Sequence, residues 1–248
     1  KYKQEYSEMN AVARNLLEVF FTKHGLGSLP EKIEIIVNRQ YKNIDVYGTI
    51  NNEFFLIIED KVGTKQHSKQ LERYKELIEK ELPEGGKLLL IYYQTGNQSS
   101  YAPVKAANYV PINRSYLLAV FESAAGVLAQ KTNNILEDYV QHLRKLEDRF
   151  LAYKNKPEDK WGYYAWQGFF TELQVHLNQG SWRHVSNPAG GFQGFWWSFL
   201  KFEDHHIYLQ IEANKKRVDL VFKVNSFDKD NRKAIRNKAS KRIMELFD

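Results

Sequence analysis

The sequence predicts an α/β domain followed by a smaller α+β region with an antiparallel sheet. Three observations lead there. From Lys3 to Tyr93 the apolar spacing switches between helical and strand repeats, in the order helix, three strands, helix, strand. Aromatic residues, 14% of the chain, concentrate in its second half. Between the halves lies Lys154-Asn155-Lys156-Pro157, a polar stretch closed by proline, as domain boundaries often are. The division expected is therefore residues 1–153 and 157–248.

Residues 3–23 read as an amphipathic helix, with Met9, Val12, Ala13, Leu16 and Phe20 on one stripe. His24-Gly25-Leu26-Gly27 ends it, since glycine accepts the left-handed backbone of a helix stop. Lys32–Val37, residues 43–50 and residues 53–61 read as consecutive strands, the last two joined at Asn51-Asn52. Residues 66–81 form a helix with Leu71, Tyr74, Leu77 and Ile78 inward. Gln66, Gln70 and Tyr74 recur every four residues and give it a second, polar-aromatic face. Pro83 and Gly85-Gly86 break the helix, and Lys87–Tyr93 is apolar enough for a strand covered on both faces. Residues 94–113 read as a long polar loop, either functional or a cover, with Thr95, Asn97 and Gln98 as candidates for substrate contact.

Two helices follow, over residues 114–129 and 133–153, the second striped by Leu136, Tyr139, Val140, Leu143, Leu146 and Phe150. A helix over residues 158–178 carries Trp161, Tyr163, Tyr164, Trp166, Phe169 and Phe170. Residues 180–224 read as an antiparallel sheet packed on it, with turns at 186–191 and 213–217. Aromatics at such spacing are first of all core, although they also stack on unpaired bases. The last helix, residues 228–247, is strongly basic through Lys229, Arg232, Lys233, Arg236 and Lys241. That face suits phosphates, whose displaced counterions favour binding, as well as plain solvent.

The chemistry concentrates between Asn43 and Tyr74. Strand alternation puts Glu59 and Lys61 on one face and Asp60 on the other. Pairing through Asn51-Asn52 brings Asp45 to Glu59 near one end of the sheet. Two carboxylates suit a hard divalent cation, which ligates oxygen. A lysine beside them supplies a compact cation for an attacking water or a phosphoryl oxygen.

Asp45, Glu59-x-Lys61 at the end of an apolar strand, and the helix after it resemble the PD-(D/E)XK nuclease superfamily. Gln70-x-x-x-Tyr74 resembles the extra motif of its RecB-type branch, and the text from His24-Gly25-Leu26-Gly27 to Tyr92-Tyr93-Gln94-Thr95-Gly96 looks like a bacterial subgroup. The resemblance implies a restriction-endonuclease-like core and phosphodiester hydrolysis, of DNA before RNA, in defence or repair. It implies Asp45 and Glu59 as ligands of Mg²⁺ or Mn²⁺ with the carbonyl of Asp60, and Lys61, Gln70 and Tyr74 serving the attacking water or the strand. The first helix of the family often adds an acid, here Glu5 or Glu8. The alternative expectation is a non-catalytic nucleic-acid-binding module, or a subunit of a larger defence complex.

Composition narrows the rest. A net charge of +6 suits a polyanionic partner. The absence of cysteine excludes disulfides and thiolate metal sites. With no apolar run of membrane-spanning length and no signal-peptide pattern, a cytoplasmic protein is expected. The seven histidines fall in no zinc spacing, and no phosphate-binding glycine loop occurs, so nucleotide-driven work within this chain is not expected.

Overall fold

The structure, a computed structural model, describes residues 7–63, 69–123, 134–188, 190–202, 205–214, 217–225 and 231–245. The chain divides into two compact units, Lys1–Glu147 and Asp148–Asp248.

The first unit is built on a five-stranded sheet in sequence order: β1 (Ile35–Tyr41), β2 (Ile44–Ile50), β3 (Phe54–Lys61), β4 (Lys87–Gln94) and β5 (Val110–Asn113). The first three strands form an antiparallel meander, whereas β4 and β5 run parallel to β3. Both meander turns need left-handed backbone. Lys42 and Asn43 have φ of 52° and 67°, Asn51 and Asn52 of 52° and 54°. Two such residues make the primed turn whose twist matches the strands. Asn51 also accepts from the Glu34 N–H and donates to the Lys32 carbonyl, which ties the turn to the approach to β1.

The apolar run of β3 is continuous because both faces are covered. Phe55 and Ile57 pack with Leu71, Tyr74 and Ile78 of α2 (Gln70–Glu79). Phe54 and Leu56 pack with Leu17, Phe20 and Phe21 of α1 (Ser7–Lys23). His24 clips α1 to the sheet, its Nδ1–H donating to the Phe20 carbonyl while Nε2 accepts from the Leu90 N–H. Val12, by contrast, packs with α4 (Arg114–Ser123) and α5 (Asn134–Leu151).

Several boundaries differ from expectation. On α1 the buried stripe is Val12, Leu17, Phe20 and Phe21, while Met9 and Ala13 are exposed. Strand β1 starts at Ile35 rather than Lys32 and runs on through Asn38, Arg39 and Gln40. It is an edge strand whose ladder to β2 holds polar side chains in solvent, so no apolar pattern marks it. The expected loop at 94–113 contains α3 (Ala102–Ala106) and β5, a strand of four residues, too short to show a period. The part of the expected 114–129 helix beyond Ser123 lies outside the described residues, as do residues 66–68.

The second unit packs α6 (Tyr163–Leu177) on a four-stranded antiparallel sheet of β6 (Ser181–Val185), β7 (Phe192–Phe202), β8 (His205–Ala213) and β9 (Val218–Asn225), in that order. Its core joins Trp166 and Phe170 to Trp182, Phe195 and Ala213. The helix expected from residue 158 starts later. Glu158–Lys160 is a separate 3₁₀ turn, Trp161 is extended, and Gly162 serves as the N-cap. The final helix, α7, spans Arg232–Met244, with Ala239 fully buried.

Candidate active site

The candidate site lies where β2 begins and β3 ends. The β2–β3 register pairs Val46 with Ile58, and one further step sets Asp45 opposite Glu59. Asp45 Oδ2 accepts from the Asp60 N–H at 2.9 Å, and Asp45 Oδ1 lies 3.4 Å from Gln40 Nε2. Asp45 therefore holds the last turn of the ladder as well as placing a carboxylate there.

Glu59 is 1% exposed, enclosed by the α2 face of the sheet. Its Oε1 is paired with Lys61 Nζ, two residues along the same strand face. Its Oε2 is buried without a hydrogen-bond partner among the described residues. Burial pushes the Glu59 carboxyl above the usual carboxylate range, and the Asp45 charge adds to this, against the Lys61 hydrogen bond that favours ionisation.

Gln70 and Tyr74 close the site from α2. Gln70 Nε2 donates to Tyr74 Oη at 3.0 Å, and Tyr74 Oη donates to the Asn43 carbonyl at 2.6 Å. Gln70 also favours the ionised form of Glu59, against the larger effect of burial. The structure thus brings together Asp45, Glu59, Lys61, Gln70 and Tyr74. Asp60 is exposed, and its side chain leaves from the other face. Glu5 lies outside the described residues, as does the side chain of Glu8, although Glu8 itself belongs to α1. Among the described residues no group of three or more Asp, Glu, His or Cys side chains gathers as a metal cage. Two carboxylates with water nevertheless fit the preference of Mg²⁺, and the unpartnered Glu59 Oε2 is the oxygen such a cation would satisfy.

One supporting residue escaped the sequence reading. Arg114 is 2% exposed and donates to the Thr95 carbonyl, Asn97 Oδ1 and Glu147 Oε2. Thr95 N–H in turn donates to the Lys61 carbonyl at 3.1 Å. Arg114 anchors the segment that steadies Lys61, and Thr95 and Asn97 take part through these bonds. Gln98 engages Ser100 and Tyr92 instead. Arg114 opens α4, where the helix dipole disfavours a cation, and that misplacement was the available signal. The close approach requires glycine next to it: a Cβ on Gly96 would sit 1.9 Å from the Val62 carbonyl oxygen.

The raised Glu59 pKa has a thermodynamic sign. The folded state favours its neutral form, so this contribution is complete below the unfolded carboxylate range and lost as pH rises through the folded value. Glu59→Gln keeps an acceptor for Lys61 and cannot ionise. In chelator, its melting temperature should exceed the parent's at pH 8, with the gap closing below about pH 4. A gap that is constant with pH would contradict the assignment.

A mixed sheet with its central parallel strands covered by helices on both faces, entered through an antiparallel meander, is a restriction-endonuclease-like fold. Residues 27–155 match the family model of the PD-(D/E)XK nuclease superfamily, and the chain belongs to that superfamily. Searches of curated proteins and of solved structures give no match.

Proposed function

We propose that this protein is a metal-dependent nuclease that hydrolyses phosphodiester bonds, with DNA as substrate, in defence or repair. The observation that carries the reading is Glu59: a buried carboxylate beside Asp45, with one oxygen on Lys61 and the other unpartnered, in a chain of a nuclease superfamily. In this reading residues 1–153 form the nuclease core and residues 157–248 an accessory region.

Asp45 and Glu59 would hold Mg²⁺ or Mn²⁺, aided by the Asp60 carbonyl. When bound, the cation lowers the pKa of water and offsets phosphoryl charge. Lys61 Nζ orients the attacking water and offers its donors to the developing charge. Gln70 and Tyr74, linked to each other and to the Asn43 carbonyl, fix the wall against which water or strand is placed. Purified protein should cut DNA with Mg²⁺ or Mn²⁺ and not in chelator. Metal-independent binding without cutting would favour the binding-module reading, and cutting of RNA alone would replace the substrate.

Lys233, Arg236 and Lys241 are exposed along α7. With Arg232, whose side chain lies outside the described residues, and Lys229, which does so entirely, they are proposed to contact phosphates. Replacing Lys233, Arg236 and Lys241 together by alanine should weaken DNA binding. The dependence of log affinity on log salt should flatten by about 2–3, at roughly 0.7–0.9 per lost phosphate contact. An unchanged slope would make α7 a solvated face.

A further inference from the structure

The second unit holds a pocket of about 250 Å³ between the start of α6 and the first strands of its sheet. Trp161, Tyr163 and Trp166 supply aromatic walls, and His184, Gly191 and Gln193 supply the polar side. Gln193 is 4% exposed. Its Nε2 hydrogen-bonds His184 Nδ1 at 3.0 Å, across the β6–β7 pair in which the two residues face each other. Its Oε1 is buried and has no partner among the described residues.

That arrangement has a chemical reading. With Nδ1 accepting from Gln193, the imidazole proton resides on Nε2, which is then a donor. The pocket therefore offers a donor on an exposed ring, an unsatisfied acceptor beneath it, and flat aromatic surface alongside. The sequence makes room for this set. A Cβ on Gly191, whose φ is +83°, would lie 2.8 Å from His184 Nε2 and 2.3 Å from the Val185 carbonyl oxygen. On the other side of Gln193 the paired residue of β8 is Ala213, whose methyl group offers the amide no hydrogen-bond partner.

We propose that this pocket binds a nucleobase. A base edge presents an N–H donor next to a ring or carbonyl acceptor, the complement of Gln193 Oε1 and His184 Nε2–H, and its face stacks on aromatic rings. Adenine matches through its amino group and N1. The base belongs either to an unpaired stretch of polymer or to a free nucleotide. The choice of ligand class rests on the nuclease reading, but the pocket shares no residue with the Asp45–Glu59–Lys61 cluster.

The test is binding by the full chain in chelator, so that cutting plays no part. The probes are a fluorescein-labelled single-stranded oligodeoxyadenylate, the same strand with purine in place of adenine, and adenosine monophosphate. Removing the amine should weaken binding about tenfold, the value of one hydrogen bond to a buried group. Gln193→Leu and the more exposed His184→Ala should each lose a similar factor, with melting curves to establish that they fold. Because binding is read in chelator and the pocket shares no residue with the Asp45–Glu59–Lys61 cluster, failure of the nuclease reading would leave this result standing. Amine-dependent binding of the strand together with binding of adenosine monophosphate supports a free-nucleotide site, and amine-dependent binding of the strand without it supports a polymer site. Equal affinity for adenine and purine strands, indifference to both variants in folded protein, or no binding of any of the three probes overturns the proposal.

Discussion

Lys61→Ala is expected to slow phosphodiester cleavage by about 10²–10³-fold, the usual cost of removing one donor aimed at developing charge. The side chain is 14% exposed and its Nζ is paired with Glu59 Oε1, so its position is set by the strand and by a buried partner. Asp45→Asn should be as damaging to cleavage for a different reason. Asparagine retains an acceptor for the Asp60 N–H that Asp45 Oδ2 now takes, but it lacks the charge a hard cation requires. Its melting temperature should stay near the parent's, whereas Asp45→Ala should lose about 1 kcal/mol along with activity, the worth of one hydrogen bond. Rates on DNA with Mg²⁺, set beside melting curves, separate these cases. Equal cleavage by parent, Lys61→Ala and Asp45→Asn would assign the cutting to a contaminant.

Gly168→Ala should be strongly destabilising for so small a substitution. A Cβ there would lie 2.0 Å from the Phe150 carbonyl oxygen and 2.8 Å from two ring carbons of Tyr153. A backbone oxygen at the end of α5 has little freedom to retreat, so α6 must shift off the segment it packs against. Overpacking of this kind costs about 1–3 kcal/mol, and a backbone clash belongs at the upper end. For a chain of this length that lowers the melting temperature by roughly 6–12 °C, at about 2–4 °C per kcal/mol. Gly162→Ala is the control: nothing lies within 4 Å of its Cβ position, and an N-cap glycine replaced by alanine costs less than about 1 kcal/mol. Similar melting for the two variants would refute the packing argument.

The order of elements was legible in the sequence because β3 and β4 are apolar on both faces and the turns between strands carry Asn residues that accept positive φ. Parity alone placed Glu59 with Lys61, and one hairpin register placed Asp45 opposite. The Gln70–Tyr74 face followed from a helical repeat. Short or solvent-held elements were not legible. Strand β5 has four residues, and β1 holds Asn38 and Arg39 by pairing with Tyr47 and Val46, which no side-chain pattern reports. The Arg114 anchor depends on partners 17–33 residues away in sequence, which periodicity cannot register. The late start of α6 was missed because Pro157 and its acidic neighbours imitate a helix start, while the actual N-cap is Gly162.

The β2–β3 hairpin has a kinetic consequence. Asp45, Glu59 and Lys61 all belong to it, and the bond from Asp60 to Asp45 spans only 15 residues. Closing so short a loop costs little chain entropy. The parallel pairing of β3 with β4, which aligns Phe54 with Lys87, encloses a segment about twice as long, and such non-local contacts form late. The charged groups therefore meet while still hydrated, and the docking of α2 and β4 afterwards withdraws water from a cluster already arranged. Slowing that docking step, not the hairpin, is how substitutions in the apolar face of α2 would delay the appearance of a competent site.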